Sequence, residues 1–360
     1  MKTKFIVRTV AAFALLSTLN PQPSTCRAQG SLSPPGPPAP TMKTLAQVEP
    51  RTAISSAPFA ITNPGSYYLT TNLVVSTGDA ITIATNGVTL DLNGFTISST
   101  AASATGFAVR IMGGLCNLRI MNGFISGGVT NSGGIYSGPG FQYGIAGPSL
   151  WTSNITVSGV HVSGCLADGI LLGANSYVES CIVQTVGGYG ILATTVKDSI
   201  AAACGQAGIS GTQVLNCSGE SILYSYGIYA NTAINSAGYS KNFVGLSAET
   251  ALNCYGSSPS QGLFARTAQN CSGYGGSGQG LAAQMAVNCY GYSQSSSGVH
   301  ATVAQNCIGY SSSGAGVYAE AVAIACFGCS GTGPGIHAFI ANSCRVWCGT
   351  TTITHKYNMP

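Results

Sequence analysis

Gly298-Val299-His300-Ala301-Thr302-Val303-Ala304-Gln305-Asn306-Cys307 is one copy of a phrase that recurs through the second half of the chain. Its opening glycines fall at Gly190, Gly208, Gly227, Gly245, Gly262, Gly280, Gly298, Gly316 and Gly335, in steps of 18, 19, 18, 17, 18, 18, 18 and 19 residues. A period of this size is the mark of a solenoid, in which each repeat is one coil that buries its apolar face only against its neighbours. In each copy an aliphatic residue follows the glycine, as in Leu263, Leu281, Val299 and Val317, and two places on there is usually an alanine. Residues two apart share one face of a strand, so this pair points inward. The residue between them varies freely and points outward: Leu192, Ser210, Tyr229, Ser247, Phe264, Ala282, His300, Tyr318 and His337.

The phrase closes on Ala-x-Asn-Cys, seen at Ala251 to Cys254, Ala268 to Cys271, Ala286 to Cys289 and Ala304 to Cys307. Ser199 and Ser236 take the cysteine slot in two coils, and Cys326 and Cys344 fill it in the last two. Small residues at fixed slots fit a narrow coil whose equivalent positions stack about 4.8 Å apart, which makes this segment roughly 40 Å long. Cysteine among small aliphatics reads as a buried small hydrophobe. Bridging between coils stays open, with Cys326/Cys329 and Cys344/Cys348 the least repetitive candidates, and no histidine column lies beside the thiols to suggest a metal site. Asparagine suits a tight bend, because it tolerates the left-handed conformation and its amide can bond to the next coil. Ser-Gly-rich segments such as Ser311 to Gly316 supply turns.

Upstream of the repeats, residues 1–28 read as a secretory signal: Lys2, Lys4 and Arg8, an apolar run from Val10 to Leu19, and a small-x-small site at Cys26-Arg27-Ala28. That run is too short to serve as a transmembrane anchor. Loss of the signal removes four of the 13 basic residues and leaves nine against nine acidic ones, so no net charge remains to favour nucleic acid. Residues 29–50 form a Pro-rich linker and short lead-in. From residue 51 the chain reads as one domain: an amino-terminal cap and first coils over 51–105, irregular coils over 106–189, the regular repeats over 190–344 and a closing cap over 345–360. In the irregular part Gly134-Ile135, Gly144-Ile145 and Gly169-Ile170 read as coil starts, and Gly138 to Leu150 is expected to bulge as a loop, with Pro139, Phe141, Tyr143, Pro148 and, just after it, Trp151.

Pro64-Gly65-Ser66-Tyr67-Tyr68-Leu69, Ala80-Ile81-Thr82-Ile83, Val88 to Phe95 with its Leu90-Asp91-Leu92-Asn93-Gly94, and Leu118-Arg119-Ile120-Met121-Asn122-Gly123 resemble the amino-terminal part of exported bacterial right-handed parallel β-helix proteins. The resemblance covers about Val48 to the carboxyl terminus and implies an all-β, single-stranded right-handed parallel β-helix, the pectate-lyase-like fold. It implies no reaction. Lyases of this fold hold calcium with clustered acids and use an Arg or Lys base, and its hydrolases use closely set aspartates. Here the acids come one to a coil at best, and Asp91 fits a turn or ladder role, so those catalytic sets do not carry over.

What remains is the outward column. His300, Tyr318 and His337 follow one another on consecutive coils, with Glu320 on the same face. Tyr229 and Phe264 share that column, and Glu249 and Arg266 share the neighbouring one, where they are expected to pair. Aromatic rings in a row with polar neighbours suit sugar rings, which makes Tyr229, Phe264, Arg266, His300, Tyr318 and His337 the candidate ligand-binding set. A second column, Tyr239, Tyr274, Tyr292 and Tyr310, is expected to pack as a ladder. The leading expectation is a secreted or surface-held, non-catalytic protein that presents a flat face for binding a polysaccharide or cell-surface glycan, or a surface partner, without a cofactor. The alternatives are a polysaccharide lyase or glycoside hydrolase using His300, Tyr318, Glu320 and His337, with histidine as base and tyrosine as acid, and a purely structural surface protein.

Overall fold

The structure is a computed structural model and describes residues 48–147 and 153–359. The expected signal and all but the end of the Pro-rich segment lie outside these residues, as do Pro148 and Trp151. The folded body is all β: 32 strands join in one sheet whose pairings are parallel throughout, so the chain is a β-solenoid with coils about 18 residues apart. The motifs that carry the family resemblance build its first coils. Gly65–Leu69 pairs with Val88–Asp91, which pairs in turn with Cys116–Ser126, and Phe59–Ile61 leads to Ile81–Ile83 and then Phe107–Ile111. Asp91 ties these coils together by accepting hydrogen bonds from Asn93 N (2.9 Å), Asn122 Nδ2 (3.3 Å) and Arg51 Nη1 (3.2 Å).

In the regular half the inward columns stack as the repeat requires. Leu246, Leu263, Leu281, Val299, Val317 and Ile336 stand in register, as do Ala251, Ala268, Ala286, Ala304, Ala323 and Ala341, and all of them are fully buried. The opening glycines have a reason beyond the turn. A Cβ on Gly298 would lie 2.4 Å from the carbonyl oxygen of Tyr310, so opposite walls of the coil touch and only hydrogen fits between them.

The cysteine slot is buried in every regular coil, with free thiols from Cys254 to Cys344. Each thiol points at a carbonyl two residues back, Cys289 Sγ lying 3.2 Å from Val287 O, and Ser236 repeats the geometry with Oγ 2.8 Å from Ile234 O. Burial pushes the upstream thiols Cys165 up to about 12 and Cys181 and Cys217 up to about 11, so they stay protonated. The asparagine column sits at φ between 51° and 54° from Asn216 to Asn306, and each amide donates to the side chain one coil back, Asn270 to Asn253 at 3.1 Å for example. A further ladder lies inside the Ser-Gly segments. Ser293 is fully buried, donates to Gly278 O at 2.7 Å and accepts from Ser296 N at 2.9 Å, and Ser311 and Ser330 do the same for their own turns.

Four expectations are corrected. Gly138 to Ala146 does not bulge: Phe141 is fully buried, and Tyr143–Ala146 is a strand held between Phe107–Ile111 and Ile170–Leu171. Phe141 fills the interior of its coil, while Tyr143 is half-buried and stacks on Phe107 at 4.6 Å. Gly134-Ile135 does not start a coil; it lies in an antiparallel hairpin, Thr130–Ser132 with Ile135–Ser137, that leaves Ile135 exposed and is fastened by Tyr136 Oη donating to Ala203 O at 2.7 Å. The disulfide joins Cys329 to Cys348, one member from each suggested pair, because those two are register partners on adjoining strands with Cα atoms 4.6 Å apart. The tyrosine ladder is shorter than expected: Tyr274 and Tyr292 stack at 4.9 Å, whereas Ser257 stands between Tyr239 and Tyr274. Beyond the last repeat, Arg345–Tyr357 bends at Gly349 and runs as one more parallel strand against Phe327–Asn342.

Candidate functional site

The outward column is continuous in three dimensions. Register pairs Tyr229 with Ser247, Ser247 with Phe264, Phe264 with Ala282, Ala282 with His300, His300 with Tyr318 and Tyr318 with His337. Parallel pairing with every side chain in register forces this: what lies between two inward positions on one coil repeats at the same azimuth on the next.

Around Ala282 the column opens into a groove of about 730 Å³. Ala282 and Ala283 form its floor, Phe264 and Arg266 line one side, and His300, Thr302 and Glu320 line the other. The groove exists because Ala282 is small between two larger neighbours. Phe264 is 50% exposed, so its ring stands open to solvent. Arg266 Nε donates to Gln284 Oε1 at 3.2 Å, which corrects the expected pairing with Glu249: the arginine reaches forward along its column instead of back.

His300, Tyr318, Glu320 and His337 do come together. His300 Nε2 lies 3.3 Å from Glu320 Oε1, Thr302 Oγ1 donates to Glu320 Oε2 at 2.9 Å, and Gln279 Nε2 lies 3.4 Å from His300 Nδ1. Tyr318 meets His300 edge to face at 4.7 Å and stacks on His337 at 4.5 Å. A β-bulge aims Glu320. Ala301 pairs with Ala319 but Val303 pairs with Val322, so one extra residue is accommodated around Glu320 and Ala321. The signal was present in the letters: Ala301 to Ala304 spans one residue fewer than Ala319 to Ala323.

Tyr318 and His337 stand beyond the groove's rim. Tyr229 borders a separate hollow of about 490 Å³, lined also by Leu172, Leu192 and Asn231, and its ring rests on Tyr226 at 5.0 Å. Sequence reasoning passed over Gln261, Gln279, Gln284 and Thr302, all of which line the groove. Gln261 and Gln279 stand immediately before the opening glycines Gly262 and Gly280, a slot that was legible as part of the repeat.

Chemically, the groove offers an aromatic face, a guanidinium, amide and hydroxyl groups and a His-Glu pair. Glu249 and Glu320 are four coils apart, roughly 19 Å, whereas two acids flanking a glycosidic bond stand about 5 to 9.5 Å apart. Among the described residues no group of three or more His, Cys, Asp or Glu is placed to hold a metal ion.

Fold and site together define a parallel β-solenoid with a groove on one outward face. No protein-family model, curated protein or solved structure matches the chain.

Proposed function

We propose that this is an exported, non-catalytic β-helix protein that binds a glycan on the outward face running from Tyr229 to His337. The observation that carries the reading is the groove over Ala282, where the exposed ring of Phe264 stands across from His300 with Arg266, Gln284 and Thr302 at hand. Sugar rings stack their C–H faces on an aromatic ring and offer hydroxyls sideways to just such groups. Right-handed winding and kinship with the pectate-lyase-like proteins belong to the same proposal, supported by the Pro64 to Leu69, Val88 to Phe95 and Leu118 to Gly123 motifs. Export rests on the signal-like residues 1–28.

A second reading, a lyase at His300, Tyr318, Glu320 and His337, draws support from the His300–Glu320 contact and the bulge that makes it. The carboxylate would hold the imidazole, which would take the proton, and Tyr318 would protonate the leaving oxygen. The experiment incubates the purified protein with acidic and neutral polysaccharides, scoring retention, unsaturated products and reducing ends together. Retention without products, weakened by Phe264→Ala, is the expected result. Products abolished by His300→Ala would put the lyase reading first, and absence of both signals would leave a structural role.

A further inference from the structure

The outward column alternates in size. Tyr229 and Phe264 are large and exposed, at 48% and 50%, while Ser247 between them is 8% exposed; Ala282 is the small residue between Phe264 and His300. Rings therefore project on every second coil, separated by recesses. Two coils measure about 9.6 Å along the solenoid axis. That is close to the length of two sugar units in an extended β-1,4-linked chain with a two-fold screw, in which alternate sugars turn the same face to one side. At Tyr318 the alternation ends, because a large ring fills what would be the next recess and packs on both His300 and His337.

We propose that the ligand is an extended, two-fold β-1,4-linked polysaccharide lying parallel to the solenoid axis, with its first, third and fifth sugars over Tyr229, Phe264 and His300 and the intervening sugars over Ser247 and Ala282. This rests on the glycan reading above and adds the shape of the chain. Helical glycans, such as α-1,4-linked chains, present successive rings at angles that a straight row of platforms does not meet. The Tyr226 ring against Tyr229 holds the first platform before any ligand arrives, which lowers the ordering cost of binding.

The test is titration calorimetry of the purified protein with oligosaccharides of three to six units. One arm uses β-1,4-linked glucose, mannose and N-acetylglucosamine, which separates the possible sugars, and the other uses α-1,4-linked glucose and galacturonate. The expected result is binding in the first arm, with affinity rising roughly tenfold from trisaccharide to pentasaccharide and then levelling off, the effect of one added stacking contact. Ala282→Tyr, which fills the recess on an outward position, should lower pentasaccharide affinity by about tenfold with an unchanged melting temperature, and Phe264→Ala by a similar factor. Equal binding in the α-1,4 arm, no gain beyond three units, or an unaltered Ala282→Tyr affinity would overturn the two-fold geometry while leaving glycan binding in place. Binding in neither arm would overturn both.

Discussion

The side-chain amide of Asn306 donates to the carboxamide oxygen of Asn288 at 3.2 Å, and Asn288 donates in turn to Asn270 at 3.2 Å. Both backbones are left-handed, at φ 51° and 54°. Asn288→Ala breaks the ladder on both sides and places a Cβ-bearing residue without side-chain compensation in that conformation, so it should cost about 1 to 2 kcal/mol. Asn288→Gly should recover part of the loss, since glycine adopts the same φ freely. Thermal melts of the two variants check this, and equal melting temperatures for Ala, Gly and Asn would show that neither the ladder nor the φ matters. Ala325, at φ 48° in the equivalent slot, shows that the coil tolerates the change in one place.

Cys289→Ser should fold and lose about 1 kcal/mol or less, because the hydroxyl inherits the Val287 carbonyl as its partner, as Ser236 does with Ile234. Cys289→Leu should lose about 1 to 3 kcal/mol by overpacking a fully occupied column. Denaturant titration separates them. Equal loss for both would mean that the thiol itself, not the volume, is what the column requires.

Breaking the Cys329–Cys348 bridge with Cys348→Ser should loosen the last strand. The bridge closes a 19-residue separation, worth about 3 kcal/mol in the chain-entropy account. In a solenoid each coil touches only its neighbours, so the effect should stay local. Hydrogen exchange should speed up over Arg345–Tyr357 and remain unchanged over Val299–Gln305. Uniform acceleration along the rod would contradict nearest-neighbour stability.

Asp168 accepts a hydrogen bond from Tyr189 N at 2.8 Å, yet burial raises its pKa above the ordinary carboxylate value. The folded state thus favours the protonated acid. Its contribution to stability is fully present below the unfolded pKa near about 4 and is lost as pH rises through the raised folded value. Asp168→Asn keeps an acceptor for Tyr189 and never ionises. Its melting temperature relative to wild type should therefore climb from acid toward neutral pH, and a difference independent of pH would contradict the assigned burial effect.

The spacing of the glycines, the inward aliphatic and alanine columns, the buried cysteine slot and the left-handed asparagines were all legible from letters. A parallel coil repeats one azimuth per register position, so a linear period translates directly into stacked columns and hydrogen-bonded ladders. The same logic placed Tyr229, Phe264, His300, Tyr318 and His337 on one face before any coordinate did. What the letters left undecided depends on distances across the coil or on which of several neighbours a flexible side chain meets. Phe141 turned inward because a wide coil needed filling, Arg266 chose Gln284 over Glu249, and Cys329 found Cys348 because register, not sequence proximity, makes bridging partners. The bulge shows the boundary most clearly: one additional residue between Ala319 and Ala323 is visible in the sequence, but its aim of Glu320 at both His300 and Thr302 exists only once the neighbouring coil is laid beside it.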